Sequence, residues 1–463
     1  QIRKKIDFEF IKSWMILFGV YAIFLLLSWP GNWNNDEFLV LGTIQHFSIQ
    51  FHQSLLTNLF YILCIMLYPN CGTIILVQSL ICSWIGAYSF RVLRRKNKYV
   101  AIILYIALLM PPTIYYILYP LRVTLYSFFV LLLFTYSFEL INQKKQVTIK
   151  QIIKLGLLVA IISFWRLESR IFLVLLPGLW GIWLYRQKRK KIIMWLLASV
   201  FLPFSLLTQI NSAFVDKKAS QVATLHSFVT GISVLLTNHE LYSIRNMNEI
   251  IDSINKVMNV RELIENASAT DLYAVYYHIA PYNFNDEEYR ECLKSFAELI
   301  ICNPIEYSFA KYELFAHSVA LPGYDFWISP AKSVEEAEAI AISYGVSPSI
   351  LKIYKPINEK LRAEISYFLT GMYMLPDSGT MAYVYMWNLW MPIVLLLLAC
   401  VLLSLLKKGY MIMLDISIIL NFLIVYMTAP SVNSMYFYPF YLVGVFIFSC
   451  VLIILEGRKS ERK

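Results

Sequence analysis

Hydrophobic residues fall along this chain in long blocks, and polar residues interrupt them in short ones. Apolar runs lie near residues 13–29, 73–90, 99–118, 123–141, 152–168, 170–185, 192–208, 384–406, 409–428 and 434–455. Each comes close to the ~20 residues that an α-helix needs to cross a bilayer. Inside hydrocarbon a segment must satisfy its own backbone hydrogen bonds, so runs of this length predict helices. The pattern predicts an all-α polytopic membrane protein with about ten spans, seven before residue 209 and three after residue 383. Leu55–Tyr68 is apolar but short, and is expected to lie in the outer leaflet or dip into it without crossing. Phe38–His52 mixes Gln45, His46, Gln50 and His52 with apolar residues and predicts a helix in the plane of the interface. From 209 to 383 the long blocks stop. Helical spacing of acidic and aliphatic residues predicts shorter helices over Asn246–Met258, Asp286–Cys302 and Val334–Tyr344. Pro304, Pro322-Gly323, Pro330 and Pro376 punctuate them.

Charge gives this pattern a direction. Charged residues make up 15% of the chain and hydrophobic ones 59%, with a mean hydropathy of +0.59. The net charge of +10 does not point to nucleic acid, because 24 of the 40 Lys and Arg sit in clusters flanking apolar runs. Those clusters are Arg3–Lys12, Arg91–Lys98, Lys144–Lys154, Arg186–Lys191, Lys407-Lys408 and Arg458–Lys463. Positive loops favour the cytoplasmic side. All of them can lie there together if residues 30–72 begin and end outside. Both termini are then cytoplasmic, and Ser13–Trp29 is read as an uncleaved first span because Leu26–Pro30 lacks a small-residue cleavage site. Three regions follow: an N-terminal transmembrane module over 1–208 with its first outer loop at 30–72, an extracytoplasmic helical region over 209–383, and C-terminal transmembrane helices over 384–463. The middle region holds 21 of the 30 acidic residues.

The candidate chemistry gathers at the outer ends of the spans. Asp36 and Glu37 stand side by side just beyond the first span, where unneeded charges are costly. With Asn34 and Asn35 they also suit a helix N-terminus. Arg122 follows Tyr119-Pro120-Leu121 between two spans on the same face. Trp165-Arg166-Leu167-Glu168-Ser169-Arg170 joins two more. The positive-inside rule does not account for an outer Arg, and the planar guanidinium fork suits phosphate oxygens. Glu168 can instead pair with one of these arginines. Arg166 and Arg170, four apart, share a face if that stretch is helical. His46, His52 and Tyr436 are further candidates for substrate contact, and Tyr436 equally suits an aromatic belt. Asp415 lies within a span, and pairing with Lys407 or Lys408 is expected.

Other chemistries lack their signatures. The seven Cys show no metal spacing, and Cys292 and Cys302 can pair only if the chain folds back between them. There is no phosphate-binding glycine loop, HExxH, GxSxG or dinucleotide fingerprint. A divalent cation is left open as a cofactor: a single carboxylate pair is visible, whereas hard cations take several oxygen ligands.

Asp36, Phe51-His52-Gln53, Gln78, Pro111-Pro112 with Leu121-Arg122, and Trp165-Arg166-Leu167-Glu168, in this order, resemble the GT-C superfamily of polytopic glycosyltransferases. The similarity is greatest to an uncharacterised bacterial GT-C-like group. That group carries Lys-Asp where this chain has Leu121-Arg122, and Pro where it has Gln53. The resemblance implies a bacterial cell-membrane enzyme, active on the outer face, with juxtamembrane helices between its first spans. Its donor would be a polyprenyl-phosphate sugar drawn from the membrane lipid, and its acceptor a glycan or cell-surface polymer. Transfer would be inverting. Asp36, with Glu37, would serve as general base, and Arg122, Arg166 or Arg170 would bind the donor phosphate. A polysaccharide polymerase using a lipid-diphosphate glycan is the first alternative, and a flippase or transporter of lipid-linked sugars the second. A transporter predicts internal repeats or paired broken helices.

Overall fold

A computed structural model of the chain describes residues 7–46, 48–49, 54–143, 146–238, 246–272, 275, 283–324, 326, 328, 331–347, 355–370 and 386–461. Among them every regular element is a helix. Eight helices are long and apolar enough to cross a membrane, and a ninth span arises if Lys98–Leu109 and Pro111–Leu118, bent by 48°, count as one. The chain is a multi-pass membrane protein. Contacts divide it into two units, residues 1–214 with 328–421 and 437–463, and residues 215–327 with 422–436.

The first unit is built on α1 (Phe8–Leu27), α4 (Cys71–Arg94), α5 (Lys98–Leu109), α7 (Arg122–Asn142), α8 (Ile149–Trp165), α9 (Phe172–Arg186) and α10 (Lys190–Phe214). Its later helices are α16 (Val334–Ser343), α17 (Glu359–Thr370), α18 (Trp390–Leu405), α19 (Gly409–Thr428) as far as residue 421, and α20 (Tyr438–Glu461). α4, α7 and α20 are buried along much of their length, and α1 and α10 mostly expose theirs. The bend after α5 falls where Met110 adopts extended geometry before Pro111-Pro112, because the residue before a proline is pushed out of the helical region.

The basic clusters collect at one end of this unit. Asp7 accepts from Arg95 at 3.1 Å and Arg91 at 3.5 Å, and Glu9 pairs with Arg94. Asn97 donates to Glu456, and Arg458 to the Leu406 carbonyl at 2.6 Å. The ion pairs among these are exposed or half-buried, and at such sites each is worth at most ~1 kcal/mol. Their common location is what bears on topology. At the opposite end of α1 come the loop 28–34, α2 (Asn35–Ile44) and α3 (Leu55–Leu67). α3 has 13 residues. At 1.5 Å per residue it is about 20 Å long, short of a ~30 Å hydrocarbon core.

Two expectations are corrected. The interfacial helix foreseen over Phe38–His52 stops at Ile44, and α2 is buried rather than laid on a surface. A Cβ on Gly42 would come within 2.1 Å of the Tyr344 carbonyl oxygen after α16. Gln45 Oε1, beyond the last turn, accepts the Ser347 N–H at 2.7 Å. Tertiary packing thus closes around a helix that looked amphipathic. Asp415 does not pair with Lys407 or Lys408. It is fully buried with neither oxygen bonded, and both lysines are exposed in the turn before its helix. Cys292 and Cys302 lie at two points of one continuous helix and are free thiols.

The second unit contains α11 (Lys217–Leu236), α12 (Met247–Asn255), α13 (Val260–Glu265), α14 (Asp286–Cys302), α15 (Pro304–Ser318) and the end of α19 (Gly409–Thr428). α12, α14 and α16 fall within a few residues of the ranges read from the sequence. α11 was not foreseen. Its first turns carry Lys217, Lys218, Ser220, Gln221 and His226, which mask an apolar second half. That half packs into a core with Ile250, Leu263, Phe296 and Tyr307. The end of α19 is held by Tyr307, whose hydroxyl donates to the Met427 carbonyl at 2.9 Å. Lys311 Nζ reaches the Ala429 carbonyl at 2.9 Å. A cation suits the C-terminal end of a helix, where carbonyls lack partners.

Candidate functional site

The segment 28–34 turns the chain from α1 into α2. Gly31 has φ +92°, and a Cβ there would sit 2.8 Å from the Leu118 carbonyl oxygen. Only glycine fits without strain. The Asn32 N–H donates to that same carbonyl at 2.9 Å. Arg362 of α17, buried at 2% exposure, donates to the Gly31 carbonyl at 3.2 Å and to the Lys332 carbonyl at 2.8 Å. The launch of α2 is therefore fixed from both sides.

α2 begins with its carboxylates in the first turn, where the helix dipole favours negative charge. Glu37, at N3, turns back, and its Oε2 accepts the Asn34 N–H at 2.8 Å. Glu37 is 2% exposed, whereas Asp36, next along the turn, is exposed. Burial, reinforced by the charge of Asp36, pushes the Glu37 carboxyl up to about 8. Its Oε1 has no hydrogen-bonding partner.

The opposite wall is the loop between α6 (Pro111–Leu118) and α7. Gln78 of α4 donates to the carbonyls of Ile117 at 3.0 Å and Tyr119 at 2.7 Å. Thr124 caps the Tyr116 carbonyl at 2.7 Å, and the Tyr61 hydroxyl donates to the Pro120 carbonyl. The Asn34 side chain donates to the Tyr119 hydroxyl at 3.2 Å, joining the two walls. This clamp sets Arg122 at the first position of α7, half-buried. Asp36, Glu37, Val40, Thr57, Tyr61, Pro120, Leu121 and Arg122 then line one small pocket.

Arg166 and Glu168 form a second element. The guanidinium makes two bonds to one carboxylate, Nη2 to Oε1 at 2.8 Å and Nε to Oε2 at 3.3 Å. The Arg166 side chain is 4% exposed and lies over the Tyr126 ring at 5.6 Å. Arg122 is near enough for its charge to act on Glu168. The preceding Trp165 donates to Thr57 at 3.1 Å, and Thr57 lines the pocket.

Of the residues singled out in the sequence, the pocket brings together Asp36, Glu37 and Arg122. Arg166 is committed to Glu168. Arg170 does not share its face. Arg166 is extended, with φ −137° and ψ 140°, and Leu167–Ile171 is a 3-10 turn, so Arg166 is buried and Arg170 exposed. His46 is exposed in the turn after α2, and His52 lies outside the described residues. Tyr436 is buried and belongs to the second unit. Sequence reasoning missed Thr57, Tyr61, Asn34 and Arg362 as parts of the site. Thr57, Asn58 and Tyr61 did carry a signal, as polar groups at helical spacing on the otherwise apolar α3.

Among the described residues no three His, Cys, Asp or Glu side chains converge. The two adjacent carboxyls, one of them buried with a raised pKa, do not make the cage of about six oxygens that a hard cation takes.

No family model and no curated protein matches the chain. Among solved structures it is similar to ArnT from Cupriavidus metallidurans, crystallised bound to undecaprenyl phosphate. The identity is 12% and the TM-score 0.34, over 96% of this chain and 76% of that one. A likeness that loose carries neither residue roles nor an activity across.

Proposed function

We propose that this chain is an inverting membrane glycosyltransferase. It moves a hexosyl or pentosyl group from a polyprenyl-phosphate donor to a glycan or polymer acceptor on the outer face of a bacterial cell membrane. The observation that supports this reading is the meeting of an exposed carboxylate, a buried carboxyl and an arginine in one pocket, at the end of the spans away from the basic clusters.

Asp36 accepts the proton of the acceptor hydroxyl. The freed oxygen pair attacks the anomeric carbon, and the bond from that carbon to the phosphate oxygen breaks. The electron pair leaves with the polyprenyl phosphate, whose growing charge meets Arg122. Inversion follows from a single displacement. Glu37 stays protonated near neutral pH, because burial and the Asp36 charge oppose its ionisation. It thus leaves Asp36 as the base. Arg166 acts through Glu168, orienting the rear of the site, and Arg170 is a weaker candidate for phosphate contact. The acceptor is bound by the region 209–383.

Mass spectrometry of lipid extracted from the purified protein, with a transfer assay on the lipid found, tests the reading. A polyprenyl monophosphate sugar is expected. A co-purified lipid-diphosphate glycan that the protein polymerises would overturn it. Cysteine labelling of intact cells tests the orientation: a thiol placed at the exposed position 249 should react and one at 188, also exposed, should not.

A further inference from the structure

The second unit carries an apolar face that its own core does not use. Ile301 stands in the last turn of α14, and Ile305, Phe309 and Tyr312 follow on α15 at spacings of about one helical turn. Ile301 is 75% exposed, Ile305 64%, Phe309 69% and Tyr312 38%. On the other side of α15, Tyr307, Ala310, Lys311 and Leu314 are buried. An amphipathic helix buries one stripe and turns polar residues outward. α15 has instead two apolar stripes, one inward and one outward.

What stands beside the outward stripe identifies its occupant. α15 packs against the last turns of α19, a helix long and apolar enough to cross the membrane. Phe315 meets Phe422 at 5.8 Å and Tyr426 at 5.6 Å between ring centroids, and the Tyr426 hydroxyl donates to the Ser308 carbonyl at 2.7 Å. Tyr312 stacks edge-on to Tyr324 at 6.0 Å. Tyrosines with one apolar and one wet end gather at the level of lipid headgroups. The stripe therefore runs from aliphatic side chains into a tyrosine cluster at the end of a span. Glu306 and Glu313 are exposed along the neighbouring edge of α15, where headgroups and water would solvate them.

We propose that the α14–α15 outer stripe is a membrane-seated face, with Ile301, Ile305 and Phe309 in the acyl boundary of the bilayer. The partner is a lipid surface, and the acidic edge favours zwitterionic over anionic lipid. The inference does not depend on the proposed glycosyl transfer.

Single thiols at positions along α15 provide the test. Cys302, exposed beside Ile301, is replaced by Ser to leave the stripe clear, and Cys400 likewise. Phe309→Cys and Glu306→Cys are then each labelled with an environment-sensitive fluorophore. The full-length protein is reconstituted in phosphatidylcholine vesicles. Label at 309 should emit to the blue and be quenched several-fold more by spin-labelled acyl chains than label at 306. Label at 306 should respond instead to aqueous iodide. Equal iodide quenching at both positions would overturn the proposal. So would a blue-shifted 309 label that spin-labelled lipid leaves unquenched, since protein and not lipid would then cover the stripe.

Discussion

Glu37 Oε2 accepts the Asn34 backbone N–H at 2.8 Å, and the same carboxyl lines a pocket with Asp36 and Arg122. One side chain thus closes a helix end and abuts the candidate chemistry. Helix capping and candidate base chemistry fall on different residues of the Asp36-Glu37 pair. The exposed Asp36 is free to act, and the buried Glu37 holds the turn.

The raised Glu37 pKa gives a pH signature. The group's value rises from 4.5 to about 8 on folding, chiefly through burial and then through Asp36. The folded state therefore binds more protons than the unfolded state between those values, and stability falls as pH rises through them. Its contribution is fully present below the unfolded value and lost as pH passes the folded one. Glu37→Gln keeps an acceptor for the Asn34 N–H and removes the titration. Melting temperature measured from pH 4.5 to 8.5 should decline in the wild type and decline less in the variant. Parallel profiles would show that Glu37 does not titrate there.

Asp36→Asn separates the two roles from the other side. Asn caps helices about as well as Asp, and position 36 is exposed, so the melting temperature should move little. Transfer from a polyprenyl-phosphate sugar should fall by about 10²-fold or more, the scale of a lost general base. Folded protein with full activity would remove Asp36 from the mechanism. Glu37→Gln is the comparison, and should cost less at neutral pH because the residue it replaces is already protonated.

The two arginines should fail in different ways. Arg166→Ala leaves Glu168 without its bidentate partner in a mostly buried setting. Stripping one member from such a pair costs on the order of 3–5 kcal/mol, so loss of folded protein is expected. The double change Arg166→Met with Glu168→Leu should recover much of that loss in a melting experiment. Arg122→Ala should instead fold, with its loss in kcat/KM for the lipid donor and part of it in kcat, because the charge it meets grows as the phosphate leaves. An Arg122→Ala protein with unchanged kcat and kcat/KM would exclude it from phosphate binding.

Much of this organisation is written locally, and some of it is not. Hydrophobic blocks mark α4, α7 and α10 because a span must be apolar over its whole length. Capping residues mark α14, whose Asn285 side chain accepts from Glu287 at 2.9 Å and from Glu288 at 3.0 Å. Asp36, Glu37 and Arg122 stood out because charge next to a span has few idle reasons to be there. Arg362 did not, because nothing around position 362 announces a carbonyl acceptor at Gly31, 331 residues away. The extent of α2 was misjudged for the same reason. Gln45 looked like the polar face of a surface helix, and its partner is the Ser347 N–H. The Arg166–Arg170 spacing misled because the segment between them is a 3-10 turn and not an α-helix.

Gly31 offers the sharpest test of how the site is positioned. Its φ of +92° disfavours any side chain, and a Cβ would stand 2.8 Å from the Leu118 carbonyl oxygen and 2.1 Å from Ile75 Cδ1. The Ile75 methyl lies at the end of a flexible side chain and can move. The Leu118 carbonyl cannot move as freely, because it also accepts the Asn32 N–H at 2.9 Å. Gly31→Ala therefore combines backbone strain of about 1–3 kcal/mol with a contact that pushes the loop away from α6. The loop also carries the carbonyl that Arg362 holds, so Asp36 should shift relative to Arg122 before the spans unfold. The expected outcome is a protein that still purifies from membranes, melts several degrees lower, and loses far more activity than its stability loss explains. Gly178→Ala is the control, since no atom lies within 4 Å of a Cβ there. It should leave both measures near wild type. Equal behaviour of the two variants would mean that the loop tolerates the side chain and does not set the site.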